Sequence, residues 1–275
     1  MNRKLIILAA CAAFTAGCET VDTTKSGAVG VERHQRMAVS SEEVNAGAQK
    51  AYAQMMAEAQ KKNALDRDAA QVARIKTIVG RLVPQTTAFR DDAGKWPWEV
   101  HVISLDEVNA WCMPGGKMAV YTGLINKLGA TDDELAAVMG HEIAHALREH
   151  SREQMSQQAL TQAGIGIAGA LFGIGDLGQN VAGMVADVTL FKPKSRGMET
   201  EADRIGVELA ARAGYNPQAA VSLWQKMEKI GGGQPPQFLS THPSHESRIA
   251  DLQAYSAKVM PLYQAAKGGT ASAGK

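Results

Sequence analysis

The sequence has no surplus of charge of either sign, no apolar run long enough to span a bilayer, and too few cysteines for a disulfide framework. Its 29 basic and 28 acidic residues leave a net of +1, and such a neutral balance argues against nucleic acid as a partner. The most apolar internal stretch, Ala163 to Ile174, is shorter than the ~20 residues a membrane helix needs. Nearby, Gly164-Ile165-Gly166-Ile167-Ala168-Gly169 formally reads G-x-G-x-x-G. With no strand before it and no βαβ unit around it, a dinucleotide site is not expected. No internal repeat is evident.

The three cysteines fall at 11, 18 and 112. Asn2-Arg3-Lys4 leads into an apolar stretch from Leu5 to Gly17, which reads as a bacterial export signal. Ala16-Gly17-Cys18 resembles a lipobox, with Thr15 standing where Leu is usual. Leu8-Ala9-Ala10-Cys11 fits that consensus better but leaves too short an apolar core, so Cys18 is the expected lipidation site. Removal of residues 1–17 leaves 27 basic against 28 acidic residues, a net of −1. Cys112 is then alone, cannot form an intramolecular disulfide in an oxidising envelope, and reads as a buried small apolar residue. Lipid at Cys18 followed by Glu19 implies attachment to a membrane surface, at the outer membrane facing the periplasm.

What the chain does have is His141-Glu142-Ile143-Ala144-His145, an H-E-x-x-H inside a helical pattern. Thr131-Asp132-Asp133-Glu134 is a capping box ahead of it. Leu135, Val138, Met139, Glu142 and Ala146 follow at helical spacing, with Gly140 the only break. Two imidazoles four residues apart share one helical face, so both can reach a single ion. Glu142 sits beside that ion, where it can take a proton from an attacking water. Gly140 costs about 1 kcal/mol of helix relative to alanine; it either lets another backbone approach closely or is a plain packing choice.

A catalytic zinc needs a third protein ligand. Glu149 lies roughly 12 Å from His141 along a straight helix, too far to share the ion. His150 invites the metzincin pattern H-E-x-x-H-x-x-G-x-x-H, which fails because the chain has Arg148 and Ser151 at the required positions. Glu199 is the better candidate. Glu199 and Asp203 are four apart on one helix face, so one can bind metal while the other accepts the remaining ring N–H of a ligating histidine. Glu201 points elsewhere on that helix.

The H-E-x-x-H helix followed by Glu199-x-x-Ala202-Asp203 resembles the HtpX-like, BepA-like and LoiP-like zinc metallopeptidases of peptidase family M48. Asn109 to Gly116 with Val120 to Ile125, Ser195-Arg196, and Ser240-Thr241-His242-Pro243 with Arg248-Ile249 extend the resemblance over roughly residues 65 to 255. It implies one Zn2+ held by His141, His145 and Glu199, with Glu142 as general base and Asp203 as the carboxylate behind a ligand. His242 matches a loop histidine that can approach the metal, as a fourth ligand or as a group polarising the substrate carbonyl. His245 is expected to have no role. The resemblance implies a metalloendopeptidase acting on unfolded or misassembled envelope proteins, anchored by lipid and lacking a tetratricopeptide array. The rival reading is a chaperone-like assembly factor with a zinc site and little proteolysis.

The expected fold is α+β, mostly helical with one small sheet. Residues 1–17 are read as signal peptide, 18–39 as flexible tether, 40–263 as the metallopeptidase domain and 264–275 as flexible tail. Strands are expected at Trp98 to Ser104, Val108 to Met113 and Lys117 to Thr122, the last two joined by Pro114-Gly115-Gly116. Lys117 to Tyr121 is the expected edge for a substrate strand. Residues 159–190 are read either as a helical hairpin lining the cleft, acting as a lid, or as a segment dipping into the lipid surface, the hairpin being the preferred reading.

Overall fold

A computed structural model describes residues 19–168, 181–230, 236–244 and 247–272. Around a small sheet pack helices α1 (Ser41–Lys61), α2 (Ala69–Leu82), α3 (Thr122–Lys127), α4 (Asp132–Leu147), α5 (His150–Ala168), α6 (Val181–Leu190), α7 (Arg196–Arg212), α8 (Ala219–Ile230), α9 (Gln237–Thr241) and α10 (Arg248–Ser272). Strands β3 (Glu99–Ile103), β4 (Ala110–Met113) and β5 (Lys117–Tyr121) form the sheet in the order β3-β5-β4, with β5 parallel to β3 and antiparallel to β4. Among the described residues no helix is long and apolar enough to cross a membrane.

The sheet is buried on both faces, and β4 shows how. Ala110 and Cys112 face a core shared with α2, α4 and α7, while Trp111 and Met113 face a second core built by α1 and α6. The free thiol of Cys112 is buried in the first of these. The β4–β5 turn uses Gly115 and Gly116 at φ 78° and 80°. A Cβ on Gly116 would stand 2.6 Å from the Trp98 ring, so both conformation and space require glycine there.

Strand order corrects one expectation. Lys117–Tyr121 is the central strand, with both of its backbone edges paired; β3 and β4 are the edges. Tyr121 N–H donates to Asn109 C=O at 3.0 Å, and Trp111 stands opposite Ala119. By the alternation of antiparallel pairing, Ala110 and Cys112 then direct their N–H and C=O groups to the outer side of β4.

Helix α4 begins with the expected capping box. Thr131 Oγ1 accepts from Glu134 N–H at 3.2 Å, and the Glu134 carboxylate accepts from Thr131 N–H at 2.9 Å. Helix α7 starts at Ser195, whose hydroxyl accepts from Met198 N–H at 3.3 Å. The two helices cross at paired glycines. A Cβ on Gly140 would lie 2.8 Å from Gly206 O, and one on Gly206 would lie 2.8 Å from His141 N. Close approach is thus the reason for Gly140, and it delivers the α7 carboxylates to the histidines of α4. Gly206→Ala should lower stability by about 1–3 kcal/mol through overpacking, even though alanine is the better helix former. Denaturant melts measure this; a more stable variant would mean the crossing has slack.

Two segments are more ordered than expected. Residues 19–39 are no tether: β1 (Glu19–Val21) pairs antiparallel with β2 (Gln35–Met37), and Val29, Val31 and Met37 are buried. The segment is held mostly by polar bonds, including Val29 N–H to Glu208 Oε2 at 2.9 Å and Gln35 Nε2–H to Arg148 O at 2.7 Å. Such a strap carries little hydrophobic periodicity. Likewise, α10 runs through Ser272 where a tail was expected from 264, since Ala265, Ala266 and Lys267 are good helix formers. Residues 1–18, 169–180 and His245 lie outside the described residues, so the export signal, Cys18 and most of the turn of the expected hairpin do too.

Candidate metal centre

The α4–α7 crossing and the α9 loop bring His141, His145, Glu199 and His242 together, all buried, with one ligand atom from each within 4.8 Å of the others. His141 Nε2 is 3.0 Å from His145 Nε2 and 3.2 Å from His242 Nδ1. Glu199 Oε1 is 3.4 Å from His145 Nε2 and 3.0 Å from His242 Nδ1, and Glu199 Oε2 is 3.5 Å from His141 Nε2. A tetrahedral zinc with bonds of about 2.0–2.1 Å holds its ligand atoms roughly 3.3–3.4 Å apart. The donor set and its spacing fit zinc.

The outward-facing nitrogens agree with that fit. His141 Nδ1 is 2.9 Å from Asp203 Oδ1, and His145 Nδ1 is 2.7 Å from His150 Nδ1. A ring that gives its second N–H to an acceptor turns a lone pair towards the centre. Two such lone pairs and a carboxylate repel one another unless a cation sits between them. Burial pushes the His145 imidazole well below its usual range, which favours the neutral ring. Burial raises Glu199, but the surrounding His242, His145 and His141 outweigh it and hold the carboxyl well below the ordinary value.

Glu142 lies beside this cluster on α4. Its Oε1 is buried and makes no hydrogen bond among the described residues. Burial pushes its carboxyl up to about 7, against the pull of His141 and of the Cys112 N–H. A carboxylate near neutrality is suited to exchanging a proton at physiological pH. His242 is fixed by its N–H to Phe238 O at 2.8 Å, by stacking on the Phe238 ring, and by Lys194 N–H to the neighbouring Thr241 O at 3.0 Å.

Several partners of the site carry no signature that spacing reveals. Arg248, fully buried, places Nη1 2.9 Å from Glu199 Oε2, donates from Nη2 to Asp203 Oδ1 at 2.7 Å, and lies 3.3 Å from the Trp224 ring centroid. It neutralises and aims both carboxylates. Lys194 is buried, donating to Gln154 Oε1 at 2.9 Å and to Val188 O; burial lowers it to about 8. His150 and Glu201 stand behind His145. Glu149, too distant for the ion, pairs instead with Arg90 and Arg152.

Comparison with known proteins matches the model of peptidase family M48 over residues 69–256. The chain belongs to peptidase family M48. Among curated relatives, this M48 chain is 34% identical over 203 residues to the mitochondrial metalloendopeptidase OMA1 of Bos taurus, covering 68% of this chain and 37% of that one. It is 40% identical over 151 residues to the mitochondrial metalloendopeptidase OMA1 of Arabidopsis thaliana, covering 55% and 30%. It is 29% identical over 199 residues to the beta-barrel assembly-enhancing protease of Yersinia pestis, covering 68% and 39%. The M48 chain thus matches less than half the length of each of these relatives.

Proposed function

We propose that this chain is a zinc-dependent metalloendopeptidase that hydrolyses peptide bonds in unfolded or misassembled cell-envelope proteins. The observation that carries the reading is the convergence of four ligand atoms beside a buried glutamate whose Oε1 has no hydrogen-bond partner. Its relatives include both an assembly-enhancing protease and mitochondrial metalloendopeptidases, so the envelope setting rests on the Cys18 lipobox. Lipid there, one residue before β1, would hold the folded body close to the outer membrane on its periplasmic side.

His141, His145 and Glu199 are the proposed zinc ligands. Zinc, when bound, supplies Lewis acidity to the scissile carbonyl and to the attacking water. Glu142 accepts the water's proton and delivers it to the leaving amine. Asp203 holds His141 in the tautomer whose Nε2 faces the centre. Substrate lies as an added strand along β4, where the outward C=O groups of Ala110 and Cys112 can bond it, while the Ala110 N–H is held by Asn109 Oδ1 at 2.9 Å and the Cys112 N–H by the Glu142 carboxylate. Unfolded chains can supply such a strand and folded ones cannot. All four β4 residues are buried, with α4 and α6 both packed against the strand.

His242 is the proposed resting-state occupant of the fourth position. Its Nδ1 stands among the ligand atoms while Nε2 faces the base. His242→Ala should raise hydrolysis of an unfolded substrate several-fold; a fall of tenfold or more would instead make His242 a carbonyl-polarising group. The reading itself is tested by metal removal. Stripping zinc with a chelator should abolish cleavage of an unfolded reporter, and one equivalent of zinc should restore it. Cleavage that persists without metal would refute it.

A further inference from the structure

His145 is backed by an arrangement unlike that of His141. Whereas His141 Nδ1 meets a carboxylate, His145 Nδ1 meets another imidazole, His150 Nδ1, at 2.7 Å. His150 Nε2 in turn lies 3.1 Å from Glu201 Oε2. His150 is fully buried, its two ring nitrogens meeting His145 and Glu201 among the described residues, and Glu201 is 7% exposed. Glu201 is held from outside by Arg148 Nε at 2.8 Å and by the Arg33 guanidinium, which belongs to the N-terminal strap. The backbone explains how His150 comes back to its neighbour. Helix α4 ends at Leu147, Glu149 takes φ 49°, and α5 begins at His150.

Proton bookkeeping allows one assignment once His145 Nε2 faces an ion. Its single proton must then sit on Nδ1 and be donated. His150 Nδ1 must accept it, so the His150 proton sits on Nε2 and goes to Glu201. A doubly protonated His150 would present two N–H groups to each other across 2.7 Å, and His145 could keep its metal-facing lone pair only by losing both protons. We infer that His150 is a positioning residue for the metal centre, which fixes the tautomer and ring orientation of His145, and that Glu201 fixes His150. This rests on the proposed ligand role of His145. The N-terminal strap is then bonded, through Arg33 and Glu201, to the back of the metal centre.

The test is zinc affinity of the full chain, read by competition with a chromophoric chelator, with folding followed by circular dichroism. His150→Phe, which fills the space but cannot accept, should raise the zinc Kd about 10–100-fold, the usual consequence of losing a partner behind a ligand. His150→Gln, able to accept through its carbonyl and donate through its amide, should recover most of that loss. His145→Ala should abolish tight binding. If His145→Ala weakens zinc while a folded His150→Phe binds it as wild type does, the relay is wrong and the ligand assignment stands. If His145→Ala leaves zinc binding intact, the ligand assignment fails and takes the relay with it. Should His150→Phe not fold, nitrogen NMR of the zinc-loaded wild type decides. The expected signature is one histidine protonated on Nε2 alone and coupled to another through an N–H···N bond; a His150 protonated on Nδ1 overturns the proposal.

Discussion

Glu142→Gln lowers kcat/KM for an unfolded substrate by about 10²–10⁴-fold, the range that general acid–base groups contribute, and leaves zinc content unchanged. The glutamine keeps the shape of the side chain and loses only the exchangeable charge. Folding should not suffer. Glu142 is buried, its Oε1 has no hydrogen bond, and burial already raises its carboxyl to about 7, so the neutral isostere relieves desolvation rather than adding to it. Its melting temperature should match or exceed that of wild type. Equal degradation by mutant and wild type would leave Glu142 without a catalytic part, and no degradation by either would favour the chaperone-like reading, in which zinc serves structure alone.

Glu199→Gln has the other large effect, and it acts on both metal and fold. Glu199 supplies the only carboxylate among the four clustered ligand residues and is fully buried. Its loss should weaken zinc binding to the point that the purified protein carries well under one equivalent, with proteolysis lost in parallel. It also removes one of two carboxylates facing Arg248, whose Nη1 and Nη2 lie 2.9 Å from Glu199 and 2.7 Å from Asp203. Breaking a buried ion pair from one side costs about 3–5 kcal/mol, reduced here because Asp203 remains. Metal analysis and denaturant melts of the metal-free proteins separate the two effects. A metal-free variant as stable as metal-free wild type would mean that Arg248 does not depend on Glu199.

The parts of this molecule legible in its sequence are those governed by local rules. The capping box at Thr131, the imidazoles at 141 and 145, and the carboxylates at 199 and 203 each follow from helical spacing. The three strands and the Pro114-Gly115-Gly116 turn follow from alternation and turn chemistry. Strand order does not, because β4 and β5 alternate alike and nothing local says which of them β3 joins. The same limit applies to residues 19–39, whose hold on the body is mainly polar, and to Gly206, whose meaning appears only once α7 lies on α4. His150 was visible but unreadable. It binds no ion in the spacing that signatures describe, and a left-handed residue at Glu149 turns it back onto His145.

A four-ligand centre of nitrogen and oxygen donors is the claim on which the rest depends, and X-ray absorption at the zinc edge of the purified full-length protein addresses it most directly. The expected result is one zinc per chain with four light-atom neighbours at about 2.0–2.1 Å, and imidazole multiple scattering from three rings, falling to two in His242→Ala. A six-coordinate, water-dominated shell, a sulfur neighbour at about 2.3 Å, or scattering unchanged by substitution of His141 or His145 would contradict it.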